Sequence, residues 1–161
     1  MKIIFLDIDG VLNYLNYFKY NNKLRLTYNK LLKEDKYILL KTIIKIDIEK
    51  IFLLKEIIDR TNSKVVITSS WRKLTIYPLI EEYLINIGIP IIDTTKSLNS
   101  RGEEIIDYLN NHKIDNYIII DDDIFLDFNE ELLFHLIHTN FYNNGLDYDN
   151  KEEAIYKLIY R

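Results

Sequence analysis

Cysteine is absent from the chain. Disulfides and thiolate metal sites are therefore both excluded. The absence suits a reducing compartment, and a cytoplasmic setting is the expectation. Long hydrophobic runs are missing as well. The most apolar stretches, such as Tyr117-Ile118-Ile119-Ile120, stop after a few residues, far short of the roughly 18 that a membrane span needs. No membrane association is expected. The opening Met1-Lys2-Ile3-Ile4-Phe5-Leu6 meets Asp7 and Asp9 too early for a signal peptide, and no small-residue cleavage site follows. A basic excess is lacking too: 21 Lys and Arg stand against 25 Asp and Glu, a net charge of −4. That balance argues against a dedicated nucleic-acid binder, while leaving room for a local basic patch. There is no internal repeat. The lean toward Ile, Asn, Lys and Tyr reads as base bias in the gene, because the apolar residues keep a clear pattern. His112, His135 and His138 have no carboxylate or histidine neighbours at metal-binding spacing, and read as structural or surface residues.

A length of 161 residues suits one domain spanning 1–161, and a chain of this size buries about two thirds of its extended surface. Ile3-Ile4-Phe5-Leu6 reads as a buried strand that ends in acidic residues and Gly10. Residues 11–46 carry many tyrosines among Asn and Lys with no steady period, and read as an irregular or hairpin-like insertion, a small cap or flap. Asp47 is placed to cap a helix over 48–61. Lys64 to Thr68 is the next strand. A helix over 73–87 ends at Gly88 and Pro90, and Ile91-Ile92 is a minimal strand. Ser100 and Glu103 match a capping box for a further helix. Tyr117 to Ile120 is the clearest buried strand and runs into Asp121-Asp122-Asp123. Leu133 to Ile137 reads as a last strand, and Asp149 as the cap of a C-terminal helix. This alternation predicts a doubly wound α/β fold, a parallel sheet with helices on both faces.

Ligands of such sheets bind beyond the carboxyl ends of the strands. The polar residues at three strand ends then become candidates for one site: Asp7 and Asp9, Thr68 to Ser70, and Asp121 to Asp123. Two carboxylates at i and i+2 past one strand, with a third from a parallel neighbour, form a hard oxygen site suited to Mg2+. Without a cation such a cluster is costly, because like charges at short range repel. The plainer reading is that aspartates merely end strands and begin turns. It explains one pair more readily than acidic clusters at two strand ends of one sheet.

These segments resemble the haloacid dehalogenase-like hydrolase superfamily. Its first motif, an apolar strand followed by Asp-x-Asp-Gly-x-[Thr/Val], is matched by Ile3 to Leu6 and Asp7-Ile8-Asp9-Gly10-Val11-Leu12-Asn13. Its second, an apolar strand ending in Thr or Ser, is matched by Val65-Val66-Ile67-Thr68-Ser69. Its fourth, an apolar strand ending in paired acids, is matched by Ile118-Ile119-Ile120-Asp121-Asp122. For the third, a Lys or Arg near a helix start, Arg101 is the choice. The family more often has Lys there. Ser69-Ser70-Trp71-Arg72 and Arg101-Gly102-Glu103-Glu104-Ile105 are also similar to small members of the superfamily. The likeness runs from Met1 to about Asp127, apart from the insertion.

The resemblance implies the superfamily's Rossmannoid fold and a phosphatase that uses Mg2+. Asp7 would be the nucleophile that forms an aspartyl-phosphate, and Asp9 the acid and base. The metal would be held by Asp7, Asp121 and Asp122, with Asp122 the better of the last two, and by the backbone carbonyl of Asp9. Ser69, the Ser70 amide and Arg101 would bind phosphate, with Thr68 the alternative to Ser69. Plain structural readings stand beside these: Ser69 as a helix cap, and Arg101 as a surface residue of a first helical turn. Trp71 reads as packing. Asp127 reads as a surface acid, or else as an aid to the metal. The tyrosines of 11–46 serve packing or substrate contact.

An acid two residues after the nucleophile favours phosphate transfer over dehalogenation. The caps are small, so an open site would admit a small molecule, a phosphorylated polynucleotide end or a protein. A second copy of the chain, as a homodimer, could close it. Two readings without turnover remain. One is an inactive phosphate- or nucleotide-binding module on the same fold, which leaves retention of both Asp7 and Asp9 without a reason. The other is a phosphorylated receiver domain, which leaves Asp9 unexplained.

Overall fold

A computed structural model of the chain describes residues 1–31 and 37–160. Five parallel strands form one sheet in the order β3-β2-β1-β4-β5. They are β1 (Lys2–Leu6), β2 (Lys64–Ile67), β3 (Ile91–Thr94), β4 (Asn116–Asp121) and β5 (Leu136–His138). The three central strands are apolar at almost every position because both faces of the sheet are covered. Side chains alternate between the faces. Ile4, Leu6, Val65, Ile67, Ile118 and Ile120 pack with helices α4 (Ile48–Thr61), α5 (Tyr77–Asn86) and α8 (Tyr148–Tyr160). Ile3, Phe5, Val66, Tyr117 and Ile119 pack on the other face with α6 (Arg101–Asn111) and α7 (Glu130–His135). The expected doubly wound sheet is thus what forms. Among the described residues, no helix is long and apolar enough to cross a membrane.

The strand order decides where a site can lie. The chain runs outward from β1 through β2 to β3, then returns to place β4 against the other side of β1. Connections leave β1 and β4 in opposite directions, which opens a crevice beyond their carboxyl ends.

Several local expectations need correction. The 11–46 segment is not a hairpin. Its described part forms three short helices, α1 (Leu15–Tyr20), α2 (Asn22–Leu31) and α3 (Ile38–Ile43); residues 32–36 lie outside the described ones. Asn21 helps to start α2 by accepting a hydrogen bond from the Leu24 amide at 2.9 Å. The helix expected over 73–87 begins only at Tyr77, after a 3-10 turn over Ser70–Lys73. Pro78 accounts for this: in a first turn its missing N–H is harmless, whereas a helix running through it would lose a bond and clash with an earlier carbonyl. The last strand is shorter than expected, because Asn129 accepts from the Leu132 amide at 2.9 Å and starts α7 where a strand was expected. Helix α8 is capped by Asp147 rather than Asp149, through a reciprocal pair with Asn150.

The start of α6 is the most consequential departure. Ser100 occupies the N-cap position but makes no capping bond to its own helix. Its hydroxyl donates instead to Asp127, whose carboxylate also accepts from the Glu103 amide at 3.1 Å. Asp127 therefore caps α6 from across the molecule. Gly102 makes room, since a Cβ there would lie 2.4 Å from an Asp127 oxygen. Loss of a side-chain cap costs about 0.5–2 kcal/mol. Asp127→Ala is expected to lower unfolding stability by about that amount in urea titrations, and Asp127→Asn, which keeps one acceptor, by less.

Candidate active site

Asp7 follows the last residue of β1, and its amide still donates to the Ile120 carbonyl of β4 at 3.0 Å. The backbone then turns sharply. Gly10 sits at φ +72°, a conformation that favours glycine, and a Cβ at that position would lie 2.2 Å from Cγ of Asp122. The glycine thus lets the motif-one loop and the end of β4 approach each other. Thr139, just past β5, ties the same turn down by donating to the Gly10 carbonyl at 2.8 Å.

This approach brings oxygens of Asp7, Asp121 and Asp122 within 4.8 Å of one another. Burial, and then the charge of Asp7, push Asp121 up to about 7 and Asp122 up to about 6. Burial also raises Asp7, with Arg101 opposing it. Asp121 Oδ1 accepts from the Asp123 amide at 3.1 Å, while its Oδ2 is buried with no hydrogen-bond donor. Three hard oxygen donors, short of positive charge and partly unsatisfied, fit a Mg2+ ion.

Asp9 stands apart from that cluster. Its Oδ2 accepts from the Trp71 indole N–H at 2.7 Å, and its Oδ1 from the Asn13 amide group at 2.8 Å. Trp71, read above as packing, is indeed buried, yet it also fixes a carboxylate 62 residues away. Beside Asp9 lies a pocket of about 270 Å³, walled by residues of the 11–46 segment and Phe141.

The second strand end contributes Thr68 and Ser69, both fully buried. The Ser69 hydroxyl accepts from the Trp71 amide at 3.4 Å, capping the 3-10 turn, and it lies near enough to Asp7 to lower the pKa of that carboxyl, whereas the Thr68 hydroxyl has no partner. Ser70 is exposed at the start of the 3-10 turn, facing the same cleft as Arg101. Arg101 is largely buried, with one guanidinium nitrogen 3.8 Å from Asp7 Oδ1 and another 3.4 Å from Asp121 Oδ2. A cation in the first turn of a helix opposes the helix dipole. Asp127, Glu103 and Glu104 supply the compensating negative charge around that turn.

One set of contacts has no counterpart in the sequence reading. Arg72 donates to the carbonyls of Thr68, Ser69 and Thr95, the last two at 2.7 and 3.1 Å. It also pairs with Glu104 at 2.6 Å, both side chains being 6% exposed. Arg72 and Glu104 stand in the two segments quoted above as similar to small superfamily members, but nothing local marks them as partners. The histidines bond backbone carbonyls. His112 and His135 stack on Tyr108 and Tyr117 and bond backbone carbonyls. His138 Nε2 lies 3.0 Å from the Asp122 carbonyl oxygen, not its carboxylate.

The family model described as "HAD domain in Swiss Army Knife RNA repair proteins" matches residues 3–150, a span that includes every site residue described above. No curated protein and no solved structure matches the chain. The convergence of three strand-end carboxylates, two of them facing Arg101, together with that match, places the chain in the family of HAD domains found in Swiss Army Knife RNA repair proteins, and so in the haloacid dehalogenase-like superfamily.

Proposed function

We propose that the protein is a Mg2+-dependent phosphatase that hydrolyses a phosphate monoester through an aspartyl-phosphate on Asp7. The observation that carries this reading is the convergence of Asp7, Asp121 and Asp122 beside Arg101. Asp7, Asp121 and Asp122 would hold the metal, joined by the Asp9 carbonyl. A bound Mg2+ supplies countercharge for the phosphoryl oxygens.

An Asp7 oxygen attacks phosphorus as the bond to the leaving oxygen breaks. Asp9, oriented by Trp71 and Asn13, gives its proton to that oxygen. Arg101 and the Ser69 hydroxyl, both beside Asp7, stabilise the oxygens of the transferring group, and the Ser70 amide adds a further donor. Asp9 then removes a proton from water as the water oxygen attacks phosphorus. Inorganic phosphate leaves, and Asp7 is regenerated. Ser69 is favoured over Thr68 because its hydroxyl acts on the Asp7 carboxyl, lowering its pKa. The family description adds phosphorylated RNA ends to the substrates to be tried.

Activity is expected to vanish in chelator and return with Mg2+, and Asp122→Ala should weaken Mg2+ dependence far more than Glu130→Ala. Melting curves give a second readout. The folded pKa values of about 7 for Asp121 and about 6 for Asp122 lie above the ordinary carboxylate range. The folded state therefore holds more protons than the unfolded one. The stability contributed by these protonated acids is full below about pH 4 and is lost as pH rises through 6 to 7. Metal-free protein should thus melt lower at pH 8 than at pH 5, and Mg2+ should raise the melting temperature more at pH 8. An equal shift at both pH values would contradict a metal site at these residues.

Arg101→Ala is expected to lose about 2–4 kcal/mol of transition-state stabilisation in kcat/KM, as for one preorganised donor. Arg101→Lys should recover part of it. Wild-type kinetics in Arg101→Ala would mean that another cation does this work.

Asp7→Asn and Asp9→Asn should fail differently. On an alkyl phosphate both should be nearly inactive. On an aryl phosphate, whose leaving group departs unassisted, Asp9→Asn can still be phosphorylated but not efficiently hydrolysed. Intact mass should then show a phosphoryl adduct on Asp9→Asn and none on Asp7→Asn. Phosphorylation of Asp7→Asn at the same rate would place the nucleophile elsewhere.

A further inference from the structure

The pocket beside Asp9 is built from segments far apart in sequence, and its chemistry is uneven. Phe18 and Tyr28 meet edge to face, with ring centroids 5.2 Å apart, and Tyr14 and Phe141 add further aromatic wall. Lys45 is the one cation among the lining residues, and its ammonium sits 5.1 Å from the Tyr28 ring centroid. The wall is tied in place. The Leu15 amide donates to the Phe141 carbonyl at 2.8 Å, and the Asn16 amide to the Tyr142 carbonyl at 3.3 Å.

Its position says what would enter. If Asp9 protonates the leaving oxygen, as the proposed function has it, the body of the leaving alcohol lies on the Asp9 side. A flat ring covers this aromatic wall more fully than an acyclic polyol does, and so buries more apolar surface against it. A phosphoserine or phosphothreonine side chain offers no ring to it. The volume of about 270 Å³ lies just below the usual range for ligand pockets, which suits one ring system and its immediate attachment. Aromatic walls with a cation nearby are the elements that bind nucleobases without reading sequence.

We infer that the pocket formed by Phe18, Tyr28, Lys45 and Phe141 receives the base of a phosphorylated nucleoside, so that the leaving group is a nucleoside or the terminal residue of a polynucleotide. The base stacks on the aromatic wall, and Lys45 faces the next anionic group. The 11–46 segment is then the part of the chain that selects substrate. This inference rests on the proposed function for the direction of the leaving group, but its binding test does not.

Binding is measured by calorimetry on Asp7→Asn protein, which has no nucleophile, with adenosine 3′-monophosphate and 5′-monophosphate as probes. Phe18→Ala in that background is expected to weaken binding of at least one probe about tenfold, the equivalent of about 1.4 kcal/mol. Phe52→Ala, at an exposed aromatic of α4 outside the pocket, serves as the control. Phe18→Leu keeps apolar bulk but removes the ring, and replaces Phe18→Ala if that variant fails to fold. In wild-type protein, kcat/KM for the better nucleotide should exceed that for glycerol phosphate, and Phe18→Leu should narrow the ratio. Gain from a mononucleotide to a phosphorylated dinucleotide, lost in Lys45→Gln, assigns the polynucleotide end. Absence of that gain, with the preference for nucleotides kept, assigns the free mononucleotide. Hydrolysis of glycerol phosphate or a phosphotyrosine peptide as efficient as that of any nucleotide would overturn the inference and leave the phosphatase reading intact. Nucleotide binding that depends on Phe18 without any hydrolysis would do the reverse.

Discussion

Mutual repulsion among buried carboxylates is the constraint on which the rest of this molecule depends. Asp7, Asp121 and Asp122 meet at the ends of adjacent parallel strands, where burial makes each charge expensive and each neighbour makes the next one more so. Arg101 faces two of them, which fixes where α6 must begin. A cation in the first turn of a helix is itself unfavourable, so the acids Asp127, Glu103 and Glu104 gather around that turn. Glu104 in turn neutralises Arg72, and Arg72 holds the carbonyls that follow β2. One line of alternating charges therefore ties the ends of β1, β4 and β2 to the start of α6. Removing a single member of a buried pair leaves its partner uncompensated, at a cost of about 3–5 kcal/mol.

The parts of this arrangement that could be read from sequence are those that local chemistry controls. The strands β1, β2 and β4 announce themselves because burial on both faces leaves unbroken apolar runs. Once they are parallel, their carboxyl ends share one edge, and Asp7, Ser69 and Asp121 gather near it for that reason alone. The 11–46 segment resisted because its helices are too short for a period to declare itself. Helix α1 buries no residue fully, and α2 buries only Leu24. The Arg72–Glu104 pair resisted for a different reason. Its members are 32 residues apart, and largely buried charges run against any expectation drawn from composition. Asp127 was legible as an acid but not as a cap, since it acts on a helix that begins 26 residues before it.

Asp7 and Asp9 differ by two positions, yet they occupy opposite chemical situations. An extended backbone would point both side chains the same way. The turn after Ile8 prevents it: the Val11 and Leu12 amides both donate to the Ile8 carbonyl, and Gly10 reverses the chain. Asp7 is left inside the acidic cluster. Asp9 is held outside it by Trp71 and Asn13, two neutral donors. With Mg2+ bound as proposed, Asp7 would be committed to the ion. Asp9, bound by neutral donors at the mouth of a pocket, would be the carboxylate left to face the leaving group. The same hydrogen bonds that exclude Asp9 from the cluster also aim it at the pocket walled by Phe18 and Tyr28. On the proposed mechanism, separation of nucleophile from proton carrier and direction of the leaving group are thus one geometric decision, made by a single glycine turn and an indole N–H.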